Sequence, residues 1–200
     1  MKNLFKPFIA ILLLGLFVDG CKTDEDETVK NYFKYDGTEF ILSKGFLENY
    51  GKYSADEGYN IDLSLLSSAF TIYEKDGEVD MVSGVGDALY FEIFTSLPDK
   101  LDVRDYIYDG TESFAAGTFD LGVIGMGFNM ETETGSVFDI SGGKVSVTNN
   151  GSEYEITINC TASNGKTITG YYKGPLKYYN YDTKKKSVVK SSKNKSVYRF

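Results

Sequence analysis

"GKVSVTNNGSEYEITINCTASNGKTITGYYKG", residues 143–174, decides the fold. Its apolar residues repeat every second position. Tyr154, Ile156, Ile158 and Cys160 fall on one face of an extended chain, and Glu155, Thr157, Asn159 and Thr161 on the other. That period belongs to a half-buried strand, not to a helix. Asn150-Gly151 and Asn164-Gly165 interrupt the pattern, and Asn-Gly is a strong two-residue hairpin signal. Residues 143–181 therefore read as a meander of about four strands.

Working outward, the same period recurs. "ALYFEIFTSL" (88–97) places Leu89, Phe91 and Ile93 on one face, and Pro98 stops it. "NIDLSLLSSAFTIY" and "DVRDYIY" are strand-like. "GTFDLGVIGMGFNM" (117–130) is a strand whose Gly122, Gly125 and Gly127 suggest bulges or a bend. "SKGFLENYG" (43–51) opens on Ser and closes on Gly, which makes it the only candidate for a helix in a fold expected to hold at most one short helix. "YDGTE" at 35–39 recurs at 108–112 and reads as two hairpin turns with the same Asp-Gly chemistry. The expected fold is all-β: a single antiparallel β-sandwich or closed barrel-like domain with a meander in its C-terminal half.

Composition excludes several chemistries. The 200 residues contain no His, which removes Ser-His-Asp and Cys-His catalysis and His-containing zinc sites. Two Cys cannot build a four-cysteine zinc site. No cofactor and no metal are expected. The net charge is −8, yet residues 184–200 carry seven basic residues and no acid, leaving −15 on the rest. So acidic a body repels nucleic acid, and only the basic stretch has a charge suited to phosphates.

The first residues have the form of an export signal. Lys2 and Lys6 precede "PFIAILLLGLFV", an apolar run too short to span a bilayer as a helix. "VDGC" (18–21) resembles a bacterial lipobox, with Asp19 where such boxes carry a small uncharged residue. The resemblance implies diacylglycerol on the thiol of Cys21 and cleavage before it. "CKTDEDE" resembles the acidic export signal of Bacteroidetes surface lipoproteins, which assigns that role to Lys22, Asp24, Glu25, Asp26 and Glu27. The pattern of 143–179 is similar to that of small Bacteroidetes lipoproteins of undefined function. The resemblance transfers a location and a fold class, not an activity. The expected organisation is a signal peptide (1–20), a lipidated cysteine with acidic tether (21–29), an all-β domain (30–183) and a basic tail or terminal hairpin (184–200).

Candidate sites are few. With Cys21 acylated, Cys160 is left as a lone thiol on an apolar strand face. Carboxylate pairs can run glycoside hydrolysis, but Asp99, Asp102, Asp105, Asp109, Glu131 and Glu133 have no spacing that singles out two of them. Tyrosines cluster in "NYFKYDG", "GYYKG" and "KYYNY". Tyr35, Tyr108, Tyr171, Tyr172, Tyr178, Tyr179 and Tyr181 are the candidates for stacking on a ligand. The expected function is a non-catalytic ligand-binding module, held by its lipid on the outer membrane and facing outside. Its partners are that membrane and a glycan or protein ligand, not nucleic acid. The alternative is a structural or assembly accessory of the cell envelope.

Overall fold

The structure, a computed structural model, describes residues 30–182. The expected signal peptide, Cys21, the residues expected to act as export signal (Lys22 to Glu27) and the basic stretch 184–200 lie outside the described residues.

Thirteen strands and no helix make up the described chain: β1 (Tyr32–Tyr35), β2 (Thr38–Ile41), β3 (Lys44–Gly51), β4 (Tyr59–Leu66), β5 (Thr71–Lys75), β6 (Glu78–Ser83), β7 (Val85–Thr95), β8 (Asp105–Tyr108), β9 (Thr118–Asn129), β10 (Thr134–Asn150), β11 (Tyr154–Ala162), β12 (Thr167–Gly174) and β13 (Lys177–Asn180). Eleven form one sheet in the order β13-β3-β4-β7-β9-β8-β10-β11-β12-β1-β2, and β5 and β6 form a separate hairpin. The fold is all-β, as the two-residue period requires. The large sheet curls into a half-barrel.

Topology enforces the curl. β13 and β2 stand at opposite ends of the strand order. Yet only residues 42–43 link β2 to β3, and only 175–176 link β12 to β13. Such short links reach across the strand order only if the sheet rolls its two halves together. Leu42 N–H donates to Asn31 O and Ser43 N–H to Leu66 O, which fastens this seam. Among the described residues the end strands β13 and β2 are not paired with each other, so the roll stays open. It is also mixed, because β13 lies parallel to β3 and β8 parallel to β9.

The meander reading holds for β10, β11 and β12, which pair antiparallel in continuous register. The fourth strand departs from it. After Pro175, β13 joins β3 and not β12. The 43–51 stretch is not a helix but β3, bonded to β4 on one side and β13 on the other. Phe46, Glu48 and Tyr50 share one of its faces, while Gly45, Leu47 and Asn49 are buried on the other. Gly51, expected to cap a helix, instead ends this strand at φ +71°. The first "YDGTE" is a two-residue hairpin turn, with Asp36 and Gly37 both at positive φ. The second is not a hairpin, since β8 runs on to a parallel neighbour and Asp109 caps the intervening loop.

The concave side of the roll holds the main core. Phe33, Leu47, Ile61, Leu63, Phe91, Ile124, Ile156, Ile158 and Tyr172 meet there. On the opposite side, hairpin β5–β6 lies over Phe46, Leu66 and Ala88 with Ile72, Val79 and Val82. This second cluster covers only part of that face. The remainder carries the polar residues described next.

Candidate functional site: an acid and tyrosine face across four strands

The second face of β3, β4, β7 and β9 carries a row of carboxylates. In register, Glu48 stands opposite Asp62, and Asp62 opposite Glu92. On the far side of β7 the ladder slips: Glu92 faces Leu121 and Ile93 faces Phe119, leaving Asp120 as the extra residue of a bulge. A bulge re-aims one side chain, and this one brings Asp120 under the influence of Glu92. Four adjacent strands thus contribute one acid each.

Like charges directly opposite one another on a sheet are destabilising. The structure answers with phenols. Tyr90 O–H donates to Asp62 Oδ2 at 2.5 Å, and Tyr53 O–H to Glu92 Oε1 at 2.8 Å. Asn60 Nδ2 also donates to Glu92 Oε1, at 2.8 Å, and Tyr50 O–H reaches Glu48 Oε1 at 3.4 Å. Burial, then the charges of Asp62 and Glu92, hold the Tyr90 phenol well above its ordinary pKa. Burial and Glu92 do the same for Tyr53. Both phenols therefore remain proton donors throughout the physiological range.

Asp120 has no such donor. Burial first, then the charge of Glu92, pushes its carboxyl up to about 7. Its Oδ1 is buried without a hydrogen-bond partner. Among the described residues neither Glu92 nor Asp120 pairs with Lys or Arg. Ser64, on the same face of β4 as Asp62 and only 1% exposed, likewise has an Oγ without a partner. Orphaned buried polar atoms are rare in folded proteins, and here two flank one acidic row. Among the described residues, no group of three or more Cys, Asp or Glu has the arrangement of a metal site. The face is rich in acceptors and suits a ligand that brings donors or positive charge.

The tyrosines expected to stack on a ligand do not converge. Tyr172 and Tyr179 are buried, at 1% and 2% exposure, and this corrects their assignment. Tyr172 O–H donates to Pro175 O, and Tyr179 O–H to Glu74 Oε1. Tyr172 fills the main core, whereas Tyr179 lies in the second cluster with Phe46, on the face covered by the β5–β6 hairpin. Tyr35 stacks on Phe138, Tyr108 packs against Phe119, and Tyr171 O–H donates to Glu155. Tyr178 packs against the main core. Of the seven, Tyr179 stands buried opposite Glu48, and Tyr181 reaches the border of the acid face, where its ring stacks on Tyr50 at 5.2 Å.

The expected carboxylates lie elsewhere. Asp102 accepts from Ser96, Asp105 pairs with Lys144 and Asp109 ties Thr111 and Ser113. Those hydroxyl and amide donors hold Asp109 down to about 2. Asp99, Glu131 and Glu133 are exposed. Asp102 and Asp109 organise loops, and Asp105 ties β8 to β10. Sequence reasoning missed Glu48, Asp62, Glu92 and Asp120, although the signal was present as single acids inside apolar strands such as "YNIDLSLL" and "LYFEIF".

A second recess lies at the seam, about 500 Å³ in volume and bordered by Asn31, Lys44, Glu153, Lys173 and Lys177. The Lys177–Glu74 ion pair borders it. No orphaned polar atom stands at this recess, so the chemistry favours the acid face.

Compared with known proteins, the chain matches no family model, no curated protein and no solved structure.

Proposed function

We propose that this chain is a lipid-anchored outer-membrane protein, displayed outward, whose β domain is a non-catalytic binding module with its ligand seat on the acid and tyrosine face. The observation that carries the reading is the row of Glu48, Asp62 and Glu92 in register across β3, β4 and β7, continued on β9 by the bulged Asp120. Packing does not require it, since apolar residues at those positions would remove the repulsion and the desolvation of the acids. A ligand that brings ammonium, guanidinium or a set of hydroxyl donors offsets both. The flanking Tyr50, Tyr53 and Tyr181 rings offer flat contact area beside it.

Two measurements test this reading. A panel of glycans and cationic peptides is screened against the full chain and against E92Q and D120N. A hit that loses affinity about tenfold or more in both variants supports the seat, and hits indifferent to both overturn it. For the anchor, Cys21→Ala is expected to release the protein from membranes, and continued retention would refute the lipid attachment.

One observation favours a second reading. A carboxyl pushed up to about 7 beside the charge of Glu92 is also the inventory of a glycoside hydrolase. Reducing-sugar release from a polysaccharide, abolished in D120N, would replace the binding reading with that one.

A further inference from the structure

We propose that the basic stretch 184–199 of this same chain is the resident occupant of the acid face, so that an external cationic ligand binds by displacing it. This rests on the reading of that face as a ligand seat and adds its regulation.

The first argument is position. The last described residues leave β13 at the border of the face. Tyr181 stacks on Tyr50, its N–H donates to Asn49 O, and its phenol oxygen accepts from Val79 N–H. Asp182 packs so closely on Gly51 that a Cβ there would lie 2.0 Å from Asp182 Oδ1. The chain is thus delivered beside Glu48, with the basic stretch beginning two residues later.

The second is reach. From β3 to β9 is three inter-strand spacings, about 14 Å at roughly 4.8 Å each. An extended segment covers about 3.3–3.6 Å per residue, so some five residues suffice. Lys184, Lys185 and Lys186 come within reach of the near half of the row, and Lys190 of Glu92 and Asp120.

The third is charge and satisfaction. The stretch carries seven cations and no acid. Glu92 and Asp120 have no cationic partner among the described residues, and Ser64 Oγ has no hydrogen-bond partner. An ammonium supplies three donors and one positive charge, which is what the row and the orphaned oxygens lack. Inside one chain this pairing needs no loss of translational freedom, so modest contacts suffice to hold it.

The test uses the full chain. Carbodiimide coupling followed by peptide mapping is expected to join lysines of 184–195 to Glu92 and Asp120, with yield falling at least fivefold in 1 M NaCl. Couplings confined to acids off the face would overturn the proposal. So would couplings formed only between copies in a mixture of isotopically light and heavy chains, which would make a second copy the occupant. A companion measurement adds a fluorescein-labelled peptide of residues 183–200 to two full chains: the natural one, and one with all seven basic residues of 184–199 changed to Gln. The neutralised chain is expected to bind the peptide at least tenfold more tightly, and to lose that binding on E92Q with D120N. Equal binding to the two chains, or none, overturns the proposal. The ligand-seat reading fails on different evidence, namely library hits on the neutralised chain that ignore E92Q and D120N.

Discussion

In a chain whose seven basic residues of 184–199 are changed to Gln, so that no lysine occupies the acid face, replacing Asp120 by Asn is expected to stabilise the protein at neutral pH and to do nothing at low pH. In the folded state the carboxyl sits in a bulge beside Glu92 and is pushed up to about 7 from an ordinary value of 3.8. A raised carboxylate pKa means that the folded state keeps a proton which the unfolded chain releases. Stability therefore falls as pH rises from about 4 to about 7, and is flat above. The span of about three pKa units corresponds to about 4 kcal/mol for a group sealed from water. Asp120 is partly exposed, and solvent screening reduces that to about 1–2 kcal/mol. Asn has no such titration. Urea unfolding of D120N and its parent, both in that neutralised background, followed by circular dichroism from pH 4 to 8.5, isolates the effect because every other acid is common to both. The difference should be near zero at pH 4 and grow to about 1–2 kcal/mol in favour of D120N by pH 8. A difference independent of pH, or a parent more stable than D120N at pH 8, would refute the account of Asp120.

Three further outcomes are expected. Tyr106→Phe removes a buried hydroxyl that accepts from Asp102 N–H at 2.6 Å and contacts Thr95 Oγ1, so it should cost about 2 kcal/mol and about 4–8 °C in Tm by thermal scanning. Gly143→Ala forces a Cβ to 2.3 Å from Asn159 O at φ +103°, where β10 bends, and a loss of at least about 2 kcal/mol in urea unfolding is expected. Cys160 is 2% exposed with its thiol pushed up to about 12 by burial, so in a Cys21→Ala background it should react with a thiol reagent at pH 8 only as fast as the fold opens. Fast native-state labelling would contradict its burial.

Strand identity was legible wherever one face is buried and the other wet. β11 shows this plainly, with Tyr154, Ile156, Ile158 and Cys160 inward and their neighbours outward. β3 was not legible, because both its faces are largely covered: Leu47 by the main core, Phe46 by the β5–β6 hairpin. With little alternation left, Ser43 and Gly51 looked like helix caps. Strand partners were equally hidden. The path from β12 through Pro175 to a parallel place beside β3 depends on the roll of the whole sheet, which no local pattern encodes.

The sequence by itself determined an all-β chain, the faces of its antiparallel strands, and an acidic body beside a basic stretch; its first residues resemble a lipoprotein signal. Those are properties of neighbours along the chain: period, turn residues and charge count. Only the tertiary structure decided that Glu48, Asp62, Glu92 and Asp120 form one row, and that Tyr172 and Tyr179 are buried core rather than ligand platform. These residues are far apart in sequence. They meet through the strand order β3-β4-β7-β9 and one bulge, which arise from packing the sheet as a whole.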